Sequence, residues 1–320
     1  MKLYNITKDK LNLVETKQFP LERDIQNLIE KNTLELFNVE FVESELTVGK
    51  YRIDTLCYDE ENNSLVIVEY KKGDSYSVID QGYTYLQLLL NNKSDFLLTL
   101  SKHFNRVLDV KDIDWSQSKI VFISQSFNKF QKDSVNFKNL PFELWEIKRY
   151  SNSTLVLNQH KPTSDEKIDS LNVGKNDSLI NSVNKEVKVV EIEEHLSKSK
   201  KEIIQVWNEL SSRFSELEGV ELVSKKHYVS LSLENKTVGY FNFQKNGIRL
   251  DFSRGNVNPD GTRSKNYFDI DDPKGISKES SWEWKTGTKG TVYKISILKD
   301  TDIDYIMFLI KQKYKNIINP

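Results

Sequence analysis

Apolar residues recur along this chain with two different periods, and the switches between them predict its elements. In residues 21–30, Leu21, Ile25, Leu28 and Ile29 form the single apolar stripe of a helix, and Pro20 stands just before it, where a helix start tolerates proline. Residues 41–48, 51–58 and 64–70 read instead as strands. The last two are separated by Asp59, Glu60, Glu61, Asn62 and Asn63, turn formers that suit a hairpin-type connection. Residues 78–91 return to helical spacing, and 119–124 and 142–147 read as further strands. The predicted order is helix, three strands, helix, strand, an α/β unit over residues 1–157.

The pattern then fades. Residues 158–190 are polar, hold no aromatic side chain and few large apolar ones, and read as a linker unable to bury a core of its own. It resumes over residues 191–320. Ile203, Val206, Trp207, Leu210 and Phe214 mark an amphipathic helix over 198–217. Strands are expected at 228–233, 238–244, 248–252 and 292–298, and a closing helix at 301–314. This half is predicted to be a smaller α+β domain with mostly antiparallel pairing. Two domains suit a chain of 320 residues.

Composition narrows the function classes. The formal net charge is -1, so global basicity offers no support for nucleic-acid binding, although a local basic face could still provide it. Cys57 is the sole cysteine, which excludes an internal disulfide and fits a reducing cytoplasm. The first residues show no apolar signal segment, and no apolar run approaches the length of a membrane span, so a cytoplasmic protein without membrane partners is expected.

The chemistry concentrates at Arg52-Ile53-Asp54 and Val66-Ile67-Val68-Glu69-Tyr70-Lys71. The strand period of two sets Glu69 and Lys71 on one face and Tyr70 on the other. Asp54, on the hairpin-partner strand, can bring a second carboxylate to the same point. Two acids and a lysine are the residue types that hold Mg2+ or Mn2+ and handle an attacking water, with the Tyr70 carbonyl as a further oxygen ligand. The two acids should raise each other's pKa unless a cation lies between them.

Together these residues resemble the PD-(D/E)XK nuclease superfamily, and the resemblance covers roughly residues 1–150. It implies a mixed central sheet flanked by helices, with Asp54 on the second core strand and Glu69 and Lys71 on the third. It also implies an acid on the first helix, best matched by Glu22. RecB-type members carry a Gln-x-x-x-Tyr on the following helix, matched by Gln81 and Tyr85. The region is similar as well to the nuclease domain of archaeal and actinobacterial mismatch endonucleases. The aspartate motif departs from the pattern in having Ile53 where proline is usual.

The resemblance implies a metal-dependent endonuclease using Mg2+ or Mn2+. Asp54, Glu69 and Tyr70 would hold the metal, Lys71, Glu22 and Gln81 would assist catalysis, and Tyr85 and Lys72 would contact substrate. It puts DNA ahead of RNA as partner, points to phage defence, restriction or repair, and allows a homodimer. The second half resembles an uncharacterised bacterial domain fused to restriction-type nucleases, a recognition or regulatory module. Proteins of this arrangement have been labelled transport proteins, which the lack of an apolar span argues against. A different reading stays open: a nuclease fold without catalysis, serving as a nucleic-acid-binding or ligand-sensing module.

Other features are weaker. His103, His160, His195 and His227 show no ligand spacing. Cys57 sits in an apolar strand and reads as core. Trp282 and Trp284 can stack a base or pack an edge. Arg254, Arg263 and Lys265 lie in a Gly- and Asn-rich loop that reads as solvated, with phosphate contact as the alternative.

Overall fold

The computed structural model describes residues 2–71, 77–137, 140–164, 166, 178–234, 236–264, 267–283 and 289–319. Contacts divide the chain into two compact units, Met1–Val189 and Val190–Pro320.

The first unit begins with a separate hairpin, β1 (Leu3–Thr7) and β2 (Lys10–Val14), followed by β3 (Thr16–Lys17). Helices α1 (Glu22–Glu30) and α2 (Thr33–Phe37) lead into β4 (Glu40–Val48), β5 (Tyr51–Asp59) and β6 (Ser64–Lys71). Then come α3 (Val78–Asn91), α4 (Lys93–His103), β7 (Lys119–Ser124), α5 (Lys129–Ser134), β8 (Phe142–Tyr150), β9 (Leu155–His160) and α6 (Ser178–Glu186). The main sheet runs β3-β8-β7-β6-β5-β4, with β9 also on β8. It is mixed: β4, β5 and β6 form an antiparallel meander, while β6, β7 and β8 run parallel. Parallel neighbours need crossovers, and α3 with α4, then α5, supply them.

Alternation along β6 explains why helices cover both faces. Leu65 and Ile67 enter a core with Val78, Tyr83, Leu86 and Leu89 of α3. Val66, Val68 and Tyr70 enter a second core with Ile25 and Ile29 of α1. The predicted helix starts one residue late, at Glu22, and the Asp24 carboxylate accepts the N–H of Leu21 at its start. Ser77 caps α3 by accepting the N–H of Asp80.

The stretch expected to be a linker differs from a spacer where it is described. His160 ends β9, and α6 with the residue that follows it places Val183 and Val187 in the α3-side core. Ile180, Val183 and Val187 fall on one side, and a docked helix needs only that side.

The second unit carries α7 (Ile192–Leu196), α8 (Lys201–Ser212), β10 (Val220–Ser224), β11 (Val229–Leu233), β12 (Lys236–Gln244), β13 (Gly247–Val257), β14 (Lys278–Glu283), β15 (Lys289–Ile297) and α9 (Ile303–Ile318). Its sheet, ordered β10-β11-β12-β13-β15-β14, is antiparallel throughout. Trp207 and Leu210 of α8 and Ile306 and Ile310 of α9 pack on one sheet face with Phe241, Leu250 and Ile295.

The supposed solvated loop is not solvated at Arg254. Its side chain is buried at a β13 bulge, stacked on Tyr293 at 4.3 Å and Tyr267 at 5.0 Å, and paired with Asp269 and Glu279. The next residue, Gly255, has φ +114, and a Cβ there would lie 2.3 Å from Ser264 Oγ, so glycine is required. Trp282 is half-exposed on β14, while Trp284 and Lys265 lie outside the described residues. No described helix is long and apolar enough to cross a membrane.

Candidate active site

The site forms where β5 and β6 part. Their register ends at Thr55 opposite Val68, which makes Asp54 and Glu69 the next positions on the α3-side face. In place of another backbone rung, the Asp54 carboxylate accepts the Tyr70 N–H at 3.0 Å. From the other face, Gln26 of α1 donates to the Asp54 carbonyl at 3.0 Å, and Thr55 joins Tyr70 to Glu30. The peptide carrying Asp54 is therefore held on both sides.

Glu69 is buried. One of its oxygens, Oε1, accepts from Lys71 Nζ at 2.9 Å, Gln81 Nε2 at 3.0 Å and Tyr85 Oη at 3.1 Å. The other, Oε2, is buried with no hydrogen-bond partner, as is Gln81 Oε1. Gln81 and Tyr85 reach Glu69 because they share a face of α3, one turn apart. Gly82 lets that face sit close: a Cβ there would lie 2.7 Å from the Phe142 ring. Gln81 Nε2 also donates to Tyr85 Oη at 3.1 Å, which uses both amide hydrogens and leaves the tyrosine proton for Glu69 Oε1 or the Arg52 carbonyl.

The electrostatics follow from this packing. Burial, then the Asp54 charge, push the Glu69 carboxyl up to about 7, against the pull of Lys71 and Tyr85. Burial also raises Asp54, opposed by the Tyr70 N–H and Lys71 and reinforced by Glu45 and Glu22. Burial raises the Tyr85 hydroxyl as well, so it stays a neutral donor.

The structure thus brings together Asp54, Glu69, Tyr70, Lys71, Gln81 and Tyr85. Glu22 is exposed on the first turn of α1 and makes no hydrogen bond to the cluster; it acts on Asp54 only through its charge. Lys72 lies outside the described residues. Among the described residues, no three His, Cys, Asp or Glu side chains gather at metal-ligand spacing.

Sequence reasoning missed Glu45 and Gln26. Glu45 lies between Ser44 and Leu46, whose partners Thr55 and Ile53 flank Asp54, so β4 delivers an acid directly across from the motif aspartate. Its φ of +56 and its ion pair with Arg52 at 2.9 Å hold it there, and its influence on Asp54 exceeds that of Glu22. The strand register is the signal that would have revealed it.

The fold and site define a mixed α/β unit with a buried glutamate and a half-buried aspartate where two strands part. The chain belongs to the same family as an uncharacterised protein of Haemophilus influenzae, 33% identical over 320 residues, covering 99% of this chain and 100% of that protein. No family model matches the chain. Two solved structures are similar over part of it. A repair endonuclease from Pyrococcus abyssi is 16% identical with a TM-score of 0.23, over 42% of this chain and 50% of that one. SfsA of Pyrococcus furiosus, solved in complex with Ca2+, is 14% identical with a TM-score of 0.23, over 46% of this chain and 75% of that one. The chain thus spans half the length of the endonuclease.

Proposed function

We propose that the first unit is a metal-dependent nuclease of the PD-(D/E)XK type, acting in the cytoplasm on phosphodiester bonds of nucleic acid, DNA ahead of RNA. One observation carries the reading. Glu69 is gripped by three donors on one oxygen while its second oxygen is buried without a partner. An unpartnered buried acceptor costs roughly 1–3 kcal/mol, and here that cost falls on the acid beside Asp54 and Lys71.

The donor set fits Mg2+ or Mn2+. Such ions are held by one or two carboxylates and complete their shell with water and substrate phosphate, so two acids suffice. Asp54 and Glu69 would hold the ion, with the Tyr70 carbonyl as a further oxygen. A bound ion supplies a water of lowered pKa and offsets charge on the phosphoryl oxygens.

The chain's own residues do the rest. Lys71 Nζ, 2.9 Å from Glu69 Oε1, carries the positive charge that steadies the two acids and orients the attacking water. Gln81 and Tyr85 fix the rotamer of Glu69 and line the approach of the substrate backbone. Glu22 and Glu45 add negative charge beside Asp54 and favour cation capture. The second unit is assigned recognition or regulation.

The test is incubation of the purified chain with duplex DNA, single-stranded DNA and RNA in Mg2+ or Mn2+, beside Asp54→Asn and Glu69→Gln. Cleavage that needs the ion and falls about 1,000-fold or more in both variants is expected. Cleavage that persists in both overturns the assignment.

A further inference from the structure

The β1–β2 hairpin is amphipathic in the wrong sense for a monomer. Its register pairs Tyr4 with Leu13 and Ile6 with Leu11, which sets these four side chains on one face. All are exposed, at 43%, 57%, 75% and 66% for Tyr4, Leu13, Ile6 and Leu11. The opposite face carries Asn5, Thr7, Lys10 and Asn12 with Leu3 and Val14. There Val14 is buried, and the Asn5 side chain accepts from Asn152 Nδ2 at 3.5 Å. The hairpin is thus tied to the unit at its Val14 end and through Asn5, and both of its faces otherwise meet water, the polar one at little cost and the apolar one at a large one.

Such an arrangement is costly. The hairpin is a two-stranded sheet of its own, which water alone barely supports. Its apolar face leaves on the order of 500 Å² of contiguous hydrocarbon and ring surface exposed, a size that marks interaction sites on soluble proteins.

We propose that this face is the contact between two copies of this chain, the hairpins packing face to face about a two-fold axis. An isologous contact sets each patch against itself, so like charges within the patch would repel; none of the four side chains is charged. Two such patches together cover on the order of 1,000 Å², where specific interfaces begin. The apolar face that lies bare in one copy would then form the layered core of a small sandwich in two. This contact stands on the hairpin alone and is independent of any cleavage activity.

Sedimentation equilibrium of the full chain tests it. Wild type is expected to be a dimer at about 50 µM, and Ile6→Glu to weaken association about 100-fold or more by setting two charges face to face. Leu11→Ser, a milder change, is expected to shift the equilibrium the same way and carries the test should Ile6→Glu misfold. Asn12→Glu, on the opposite face, is expected to leave the dimer intact. A monomeric wild type at that concentration overturns the proposal, as does a dimer unaffected by Ile6→Glu and Leu11→Ser. Dissociation by Asn12→Glu as large as that by Ile6→Glu also overturns it.

Discussion

Among the charged side chains buried in the two units, Arg254 and Glu69 each sit at a break in a sheet, and they are treated in opposite ways. Arg254 sits at the β13 bulge with its guanidinium between two tyrosine rings, one arm on Asp269, the other on Glu279, and Nε on the Phe268 carbonyl. Its donors are met. Glu69 sits where β5 and β6 part, with three donors crowded on one oxygen and none on the other. Burial of a charge is common to both and so cannot by itself mark function. Satisfaction separates them: every guanidinium nitrogen has a partner, whereas one oxygen of the glutamate has none.

That contrast can be broken by mutation. The largest difference is expected in cleavage, where Glu69→Gln and Asp54→Asn each abolish activity without unfolding the chain. Arg254→Ala should do the reverse to its own unit. It removes two stacking contacts, two ion pairs and a packed aliphatic stem, for a loss of about 2–4 kcal/mol read by chemical denaturation. An Arg254→Ala protein as stable as wild type would refute the structural reading of that cluster.

The pH dependence of stability sharpens the comparison. Glu69 titrates near 7 when folded, above its ordinary range, so between the two values the folded chain binds more protons than the unfolded one. Stability should therefore fall as pH rises through that window and level off above it, with an expected span of roughly 1–3 kcal/mol. Glu69→Gln should flatten the slope. Added Mg2+ or Mn2+ should stabilise wild type more at pH 8 than at pH 5, because the ion competes with the proton for the same oxygens. Thermal melts across pH, with and without the ion, provide the check; an ion effect equal at both pH values would count against cation binding at Glu69.

The smallest expected effect is that of Tyr85→Phe. It removes one donor that favours the charged form of Glu69. The midpoint of the pH–rate profile should move up by a few tenths of a unit, at a stability cost of about 1 kcal/mol. An unmoved midpoint would leave Tyr85 as packing alone.

Much of the first unit was legible because its signals are local. The alternation along β6, the helical stripe of α1 and the turn residues at 59–63 each lie within a few positions, and the elements formed close to their expected bounds. The α6 helix was hidden by its composition, since Val183 and Val187 look sparse until a partner surface exists for them. Arg254 was misread for a similar reason. Its loop is rich in glycine and asparagine, yet Tyr267, Asp269, Glu279 and Tyr293 come from later in the chain to enclose it. Glu45 was overlooked because only strand register sets it across from Asp54, and register is not written in either strand alone.

The sequence by itself determined which residues could share a face: Glu69 with Lys71 by the strand period, and Gln81 with Tyr85 by the helix period. The tertiary structure alone decided that these two pairs meet. Gly82 brings α3 against the Phe142 ring, and the separation of β5 from β6 frees the Asp54 carboxylate for the Tyr70 N–H. Periodicity is a property of neighbouring residues, whereas convergence on one oxygen of Glu69, with the other left empty-handed, depends on packing between segments that only the folded chain brings together.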